Sequence, residues 1–386
     1  LGRKNVFTIL QEKINPAQEK VWFHCASLGE FEQARPILES FREHYPSFQI
    51  VLTFYSPSGY EVRKNYTQAD IVIYLPEDSP HNAKRFLSLV SPSLICWTKY
   101  EFWYHYLHQA HQRNIPIVLF SAIFRKNQLF FKKSVHLYRN MLHFFEHIFV
   151  QDEASLLLLQ SIKIEYCSQA KDTRFDRVWQ IAQQSQEIAP IKIFKNEQPL
   201  LIVGSAWLED WQIIQAFLKQ FKKPLKVIIA PHEITNYYLD AIRKDCDKAV
   251  FFSQIQKTEN IEALDFLIVD TVGHLSALYQ YANFAWIGGG FKQGLHNILE
   301  AAVFGMPVFF GNKAYQKFKE AQDLISLRGA FAIGSADDLL KTFVELYEKA
   351  DLYEEKRQIT QKYVQDNIGG SEKILQKIKE IIPAAK

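Results

Sequence analysis

Short apolar runs recur along the chain, each followed by a segment long enough for a helix. Val21–Cys25, Ile50–Phe54, Ile71–Tyr74, Leu94–Trp97, Ile117–Phe120 and Ile148–Val150 are brief and rich in β-branched and aromatic residues, the pattern of strands buried on both faces. Strands separated by helix-length segments predict βαβ units and a parallel sheet. The alternation restarts with Leu200–Val203, Lys226–Ala230, Phe266–Val269, Phe284–Ile287 and Val308–Phe310. Between the two series, residues 181–198 are rich in Gln and Lys with weak periodicity and read as a linker. The expected fold is therefore α/β, with two Rossmann-like doubly wound domains, 1–180 and 199–386. Such sheets bind ligands at the carboxyl ends of their strands, which is expected to place the site in an interdomain cleft. The helical spacing from Asp337 to Ile382 suggests a closing segment that packs back on the N-terminal domain.

Composition agrees with two domains: in 386 residues, 48% are hydrophobic and 23% charged, enough apolar surface for sizeable cores. A net charge of +3 gives no reason to expect nucleic acid as a partner. Cys25, Cys96, Cys167 and Cys246 are far apart and form no CxxC pair, so reduced thiols in a cytosolic protein are expected. No run of eighteen apolar residues appears. Leu1-Gly2-Arg3-Lys4 is neither an initiator methionine nor a signal peptide, and the natural start is expected upstream.

Charge distribution adds one feature. From Phe102 to Phe145 there is no Asp or Glu, while Arg113, Arg125, Lys126, Lys132, Lys133 and Arg139 alternate with Phe124, Phe130, Phe131, Tyr138, Phe144 and Phe145. A basic, aromatic stretch of this kind suits an anionic membrane surface; a core helix with solvated lysines is the alternative.

The sharpest motif begins at Ile287: Gly288-Gly289-Gly290-Phe291-Lys292-Gln293-Gly294-Leu295-His296-Asn297-Ile298-Leu299-Glu300-Ala301-Ala302, with Gly305-Met306-Pro307 after it. A strand entering a glycine-rich loop and then a helix, expected to start near His296 or Asn297, can hold a phosphate on backbone N–H groups. Glu300, about one turn into that helix, can accept hydrogen bonds from ribose hydroxyls. A purely structural turn is the alternative. The spacing is neither GxGxxG nor GxxxxGK[ST], so a dehydrogenase or a P-loop enzyme is not favoured.

The same residues are similar to the donor loop of the bacterial 3-deoxy-D-manno-octulosonic acid (Kdo) transferases of lipopolysaccharide core biosynthesis. Further segments agree in order. His24-Cys25-Ala26-Ser27-Leu28-Gly29-Glu30 resembles the family's acceptor loop, Lys99-Tyr100-Glu101-Phe102-Trp103 its Glu-x-Trp motif, and Asp172-Thr173-Arg174-Phe175-Asp176 its central Phe-Asp motif. Gly204-Ser205 and Asp270-Thr271-Val272-Gly273-x-Leu275 match in the second half. Three positions depart from the pattern: Pro231-His232-Glu233 stands where Pro-Arg-His is common, Met306 where Lys is common, and Lys171 where Gly is usual.

The resemblance implies the GT-B fold and an inverting transfer of Kdo from CMP-Kdo to a lipid A precursor, at the cytoplasmic face of the bacterial inner membrane. Glu30 is then the general base that takes the acceptor's proton; a helix-capping carboxylate is the alternative. Glu101 is expected to orient Glu30 or bind acceptor hydroxyls, or to be an ordinary ion-pair partner. The implied donor residues are Ser205, His232, Thr271, Gly273, Gly288, Gly289, Gly290, Phe291, Gly294, His296, Asn297 and Glu300. On the acceptor side stand Ser27, Gly29, Lys126, Lys132 and Lys133, with Gly29 letting the acceptor approach the backbone. No cofactor is expected, and no Asp-x-Asp of the kind that holds a divalent ion on a nucleotide diphosphate is read. His105, His108 and His111 share a helix face at i, i+3, i+6, which reads as packing rather than a metal site. Rival readings are a GT-B enzyme using a UDP-sugar, such as a lipid-linked disaccharide synthase or an epimerase, and a non-catalytic sugar-nucleotide-binding protein.

Overall fold

A computed structural model describes residues 3–99, 101–132, 135–292 and 294–382. The chain forms two compact units, Leu1–Arg177 with Asn367–Lys386, and Val178–Asp366.

The first unit contains α1 (Val6–Lys13), β1 (Lys20–Cys25), α2 (Leu28–His44), β2 (Gln49–Phe54), α3 (Pro57–Arg63), β3 (Ile71–Tyr74), α4 (Pro80–Val90), β4 (Leu94–Thr98), α5 (Tyr104–Gln112), β5 (Ile117–Ala122), α6 (His136–Leu142), β6 (His147–Val150), α7 (Glu153–Ser161), β7 (Cys167–Gln169) and the start of α8 (Arg174–Gln184). Its seven strands lie in the order β3-β2-β1-β4-β5-β6-β7, all parallel. Strand order reverses between β1 and β4, the position where a doubly wound sheet opens a crevice. Helix starts follow local chemistry: Ser56 and Ser79 cap α3 and α4 by accepting N–H groups two and three residues on, each followed by a proline, whose fixed φ suits a first helical turn. In α2, Phe31, Ala34, Ile37, Leu38 and Phe41 recur at helical spacing and are fully buried against Phe23, Ile50 and Phe54 of the sheet. Each buried phenylalanine there contributes roughly 1.5–3 kcal/mol.

The second unit contains the rest of α8, then α9 (Ala189–Lys195), β8 (Leu200–Ala206), α10 (Leu208–Gln220), β9 (Lys226–Pro231), α11 (Asn236–Arg243), β10 (Val250–Phe251), β11 (Phe266–Ile268), α12 (Leu275–Leu278), β12 (Phe284–Ile287), α13 (Leu299–Ala302), β13 (Val308–Gly311), α14 (Lys319–Ser326), β14 (Ala330–Ile333), α15 (Ala336–Glu348) and α16 (Ala350–Gln365). Its parallel sheet runs β10-β11-β9-β8-β12-β13-β14, with its reversal between β8 and β12.

After α16 the chain returns to the first unit as α17 (Gly370–Ile381). Ile374 and Ile378 of α17 enter the core built on α2, and the Asp176 carboxylate accepts the Gly369 and Ser371 N–H groups at 2.5 and 2.7 Å. The Asp of the Phe-Asp motif therefore anchors the terminal helix.

Residues 181–198 are not an open linker. They hold the end of α8 and all of α9, whose Ile191 and Phe194 are fully buried, and the Ile188 N–H donates to the Tyr281 hydroxyl. Ile188, Ile191 and Phe194 repeat every third residue among the polar ones, and that spacing forms the buried face.

Candidate active site

In the first unit the sequence places Glu30 just beyond the carboxyl end of β1, at the strand reversal. Ser27 is extended and stands at the N-cap position of α2 without a side-chain capping bond, and the chain enters the helix with Glu30 in its first turn. The carboxylate swings back: Oε2 accepts the Ala26 N–H at 2.5 Å, while the Ala26 carbonyl accepts the Ser56 N–H at 2.7 Å. Both readings of Glu30 thus have a physical basis here, since it closes the helix entry and also sits where the sheet binds ligands. Glu30 is buried, and burial pushes its carboxyl up to about 7, against the Ala26 hydrogen bond and the Lys99 charge and with help from the Glu101 charge. A carboxylate near neutrality is suited to accepting a proton at cellular pH. Gly29 is exposed, and the space where a Cβ would project holds nothing within 4 Å.

Glu101 is exposed and forms no hydrogen bond to Glu30 among the described residues. It acts on Glu30 through charge, and partial burial raises its own pKa. Its backbone carbonyl accepts the Trp97 indole N–H at 3.1 Å. Lys99, two residues before it and in the left-handed conformation (φ 61°), was quoted within the Glu-x-Trp motif without a role of its own, and its charge opposes the rise at Glu30. Beneath them lies His24, buried and held neutral, its pKa lowered by burial to about 3. The Trp103 indole N–H donates to His24 Nε2 at 3.2 Å, so the ring's proton is on Nδ1, which meets Thr53 Oγ1 at 2.9 Å. His24 is therefore a structural support for Trp103.

In the second unit, Ser205 lies at a register shift between β8 and β9 with φ 51°. Its carbonyl packs on Gly288, where a Cβ would come within 2.0 Å. Gly289 has φ 89°, and a side chain there would collide with the Gly294 carbonyl. These glycines permit close packing and a left-handed turn. Their amides are spent internally: Gly288 N–H on Gly204, Gly289 N–H on Asp210, Gly294 N–H on Gly289, and His296 N–H on Gly288. The helix after the loop begins at Leu299, later than the expected His296 or Asn297, and α13 has only four residues. So short a helix has a weak dipole.

Asp210 organises this region, and the sequence reading missed it. Its carboxylate accepts the Trp207 and Gly289 N–H groups at 3.0 Å each and the Trp286 indole N–H at 3.1 Å. Burial pushes its carboxyl upward against those three bonds. The only signal was its place three residues after the strand-end Trp207, where an acid closes a capping arrangement. Glu300 accepts from Ser276 Oγ at 2.5 Å and from Asn297 Nδ2 at 3.2 Å, while Asn297 Oδ1 accepts the Leu299 N–H at 3.2 Å. His296 is half-buried, with its pKa lowered to about 4 by burial and by His232. His232 is exposed and stacks on Trp207, ring centres 4.1 Å apart. Thr271 Oγ1 is buried with no hydrogen-bond partner among the described residues. Gly273 is exposed with φ 88°, and the Phe291 ring faces that of Trp286 at 6.2 Å, inclined by 28°.

The basic, aromatic stretch divides. Phe124, Phe130 and Phe145 are core residues, and Phe102, Phe131 and Phe144 pack against that core, so the rings expected at the surface are largely structural. Arg125, Lys126 and Lys132 are exposed together with Leu129, Leu137 and Tyr138. Lys133, like Tyr100 and Gln293, lies outside the described residues. His108 and His111 of α5 pack against Phe144 at 5.7 and 5.0 Å, and His108 stacks on Tyr104. One Asp-x-Asp does occur, Asp245-Cys246-Asp247, but it follows α11 and precedes β10, on the side of the sheet away from the ligand-binding strand ends. Asp245 there accepts the Trp211 indole N–H at 3.1 Å.

Residues 3–177 match the family model described as 3-deoxy-D-manno-octulosonic-acid transferase (kdotransferase). A 3-deoxy-D-manno-octulosonic acid transferase of Haemophilus influenzae is 26% identical over 86% of this chain and 79% of its own length. The transferase of that name from Aquifex aeolicus is 27% identical over 87% of this chain and 88% of its own. Among solved structures, the UDP-GlcNAc 2-epimerase of Neisseria meningitidis, bound to UDP-GlcNAc, superposes with a TM-score of 0.64 at 14% identity, covering 94% of this chain and all of its own. Acinetobacter baumannii MurG gives 0.59 at 10% identity, covering 94% and 99%. At such identities the structural likeness speaks for the two-domain GT-B fold.

Proposed function

Because the chain belongs to the Kdo transferase family, and is a glycosyltransferase of lipopolysaccharide synthesis on that account, we propose that it moves Kdo from CMP-Kdo to a lipid A precursor with inversion and without a metal ion. The observation that carries this reading is Glu30, a buried carboxylate at the strand reversal whose pKa is pushed up to about 7. Inversion needs a base that takes the acceptor's proton as its oxygen attacks the anomeric carbon. The second unit is assigned the donor: Glu300, held by Ser276 and Asn297, would bind the ribose, and the unpartnered Thr271 hydroxyl with Ser205 and His296 would meet the phosphate or the Kdo carboxylate. The departing phosphate gains negative charge, and fixed donors at that point stabilise it. No helix among the described residues is long and apolar enough to cross a membrane, and a peripheral position at the inner membrane's cytoplasmic face is proposed.

Incubating the protein with CMP-Kdo and a tetraacylated lipid A precursor, followed by mass spectrometry, is expected to show the precursor heavier by Kdo. CMP should raise the melting temperature more than UDP does; a larger shift with UDP and no Kdo adduct would replace this reading with a UDP-sugar enzyme. Transfer is expected to survive EDTA, and activity lost to the chelator and restored by Mg²⁺ would remove the metal-free mechanism. Glu300→Ala is expected to weaken CMP binding about tenfold or more by calorimetry, the size of a lost charge-assisted hydrogen bond, with the acceptor KM nearly unchanged.

A further inference from the structure

Trp207 is the residue that joins β8 to α10, and it belongs to no motif quoted above. Its backbone N–H is fixed on Asp210 at 3.0 Å, the carboxylate that also holds Gly289 of the glycine loop. Its ring is clamped between His232, at 4.1 Å and nearly parallel, and Tyr238, edge-on at 6.3 Å. From that position the indole Nε1–H points at His296 Nε2, 3.3 Å away. Indole N–H can only donate, so Nε2 must be the unprotonated nitrogen and the proton of the neutral ring sits on Nδ1. The backbone of His296 is fixed independently, its N–H donating to Gly288 at 3.2 Å. His296 Nδ1 has no partner among the described residues and is not sealed from solvent.

We propose that Trp207 is a positioning residue, which locks His296 as its Nδ1–H tautomer and so presents a fixed, uncharged N–H to an oxyanion of the sugar-nucleotide donor, its phosphate or its sugar carboxylate. This rests on the donor assignment made above. The preset tautomer removes a step: without Trp207 the imidazole would divide between two tautomers and two ring orientations, and only one offers its N–H to the ligand. Burial and the neighbouring His232 also keep the ring uncharged, so the proton on Nδ1 remains the only one.

Histidine-selective ¹⁵N labelling and two-bond ¹H–¹⁵N correlation of the unliganded protein, with the His296 signals identified by their loss in His296→Gln, read the tautomer directly. The expected result is a protonated Nδ1 and a bare Nε2; protonation on Nε2 overturns the proposal without any variant having to fold. Trp207→Phe keeps the stack on His232 and removes the donor. It is expected to lower kcat/KM for transfer about tenfold and to mix the His296 tautomers, while in a His296→Ala background the same change has less than a twofold effect. An equal loss in both backgrounds would show that Trp207 acts through something other than His296. A matching loss in CMP affinity identifies the phosphate as the oxyanion; a loss confined to the KM for the complete sugar nucleotide identifies the carboxylate. If the unaltered protein binds neither, the donor assignment fails while the tautomer measurement still judges the geometry.

Discussion

Glu30→Gln is expected to lower turnover by roughly 100-fold or more, the usual contribution of a general base, while leaving CMP affinity within about twofold. Glutamine keeps the shape and can still accept the Ala26 N–H, so the entry to α2 is preserved and only the proton acceptor is lost. A variant with near-normal turnover would leave Glu30 as a helix-capping residue. The pH profile gives a second check. Glu30 must be ionised to act, and its carboxyl is pushed up to about 7 by burial, so kcat/KM should rise tenfold per pH unit below about 7 and level off above it. The sign for stability is opposite. A folded-state pKa raised above the ordinary 4.5 means that the folded protein binds more protons between the two values, and stability falls as pH rises from about 4.5 to about 7. The cost at pH 8 is up to about 3 kcal/mol, so Glu30→Gln should melt higher than the unaltered protein at pH 8 and at nearly the same temperature at pH 4. A base retained at such a cost is the pattern of a site where function outweighs stability.

Sequence patterning identifies central strands well and edge strands poorly, for a physical reason. The three strands not expected, Cys167–Gln169, Val250–Phe251 and Ala330–Ile333, all lie at sheet edges. Cys167–Gln169 is not buried and carries no apolar run, Val250–Phe251 has only two residues, and Ala330–Ile333, though apolar, is half alanine and leaves Phe331 and Ala332 partly exposed, so none carries the β-branched, fully buried run of a central strand. Edge position also explains why residues 181–198 looked like a linker: a short helix lying on the surface of its unit buries only one narrow face. At the site, the glycine motif was legible because three adjacent glycines have few uses, yet its mechanics were not. Whether Gly289 N–H meets a phosphate or Asp210 depends on which residue of α10 the fold brings beneath the loop, and Asp210 is 79 residues earlier in the chain. The link from Trp207 to His296 spans 89 residues and is hidden in the same way. Aromatic residues in the basic stretch misled in the other direction, because a ring at a surface and a ring in a core look alike in one dimension.

Replacing Arg125, Lys126 and Lys132 together by Glu is expected to abolish sedimentation of the protein with vesicles containing anionic phospholipid. These side chains are exposed, and the segment from Phe102 to Phe145 carries no acidic residue to offset them. Each basic side chain near such a surface contributes about 1 kcal/mol. Three reversals remove that attraction and add a repulsion of similar size, a total of roughly 3–6 kcal/mol and a partition lower by 100-fold or more. The apolar half of the contact is smaller than the sequence suggested, since Phe124, Phe130 and Phe145 are consumed by the core. What is left for the headgroup region is Leu129, Leu137 and Tyr138, which are 38%, 51% and 37% exposed. On that balance the proposed association is mainly electrostatic, so the unaltered protein is also expected to leave the vesicles in 0.5 M salt, where screening acts over only a few ångströms. Transfer to a deacylated, water-soluble acceptor should change less than threefold in the triple variant, because Lys126 and Lys132 are placed on the acceptor side as contacts to its anionic membrane surface and not to the reacting hydroxyl. Unchanged vesicle binding by a triple variant with a native circular dichroism spectrum would mean that these residues are merely solvated and that the membrane is met elsewhere. Loss of transfer to the soluble acceptor as well would instead tie the patch to recognition of the acceptor sugar.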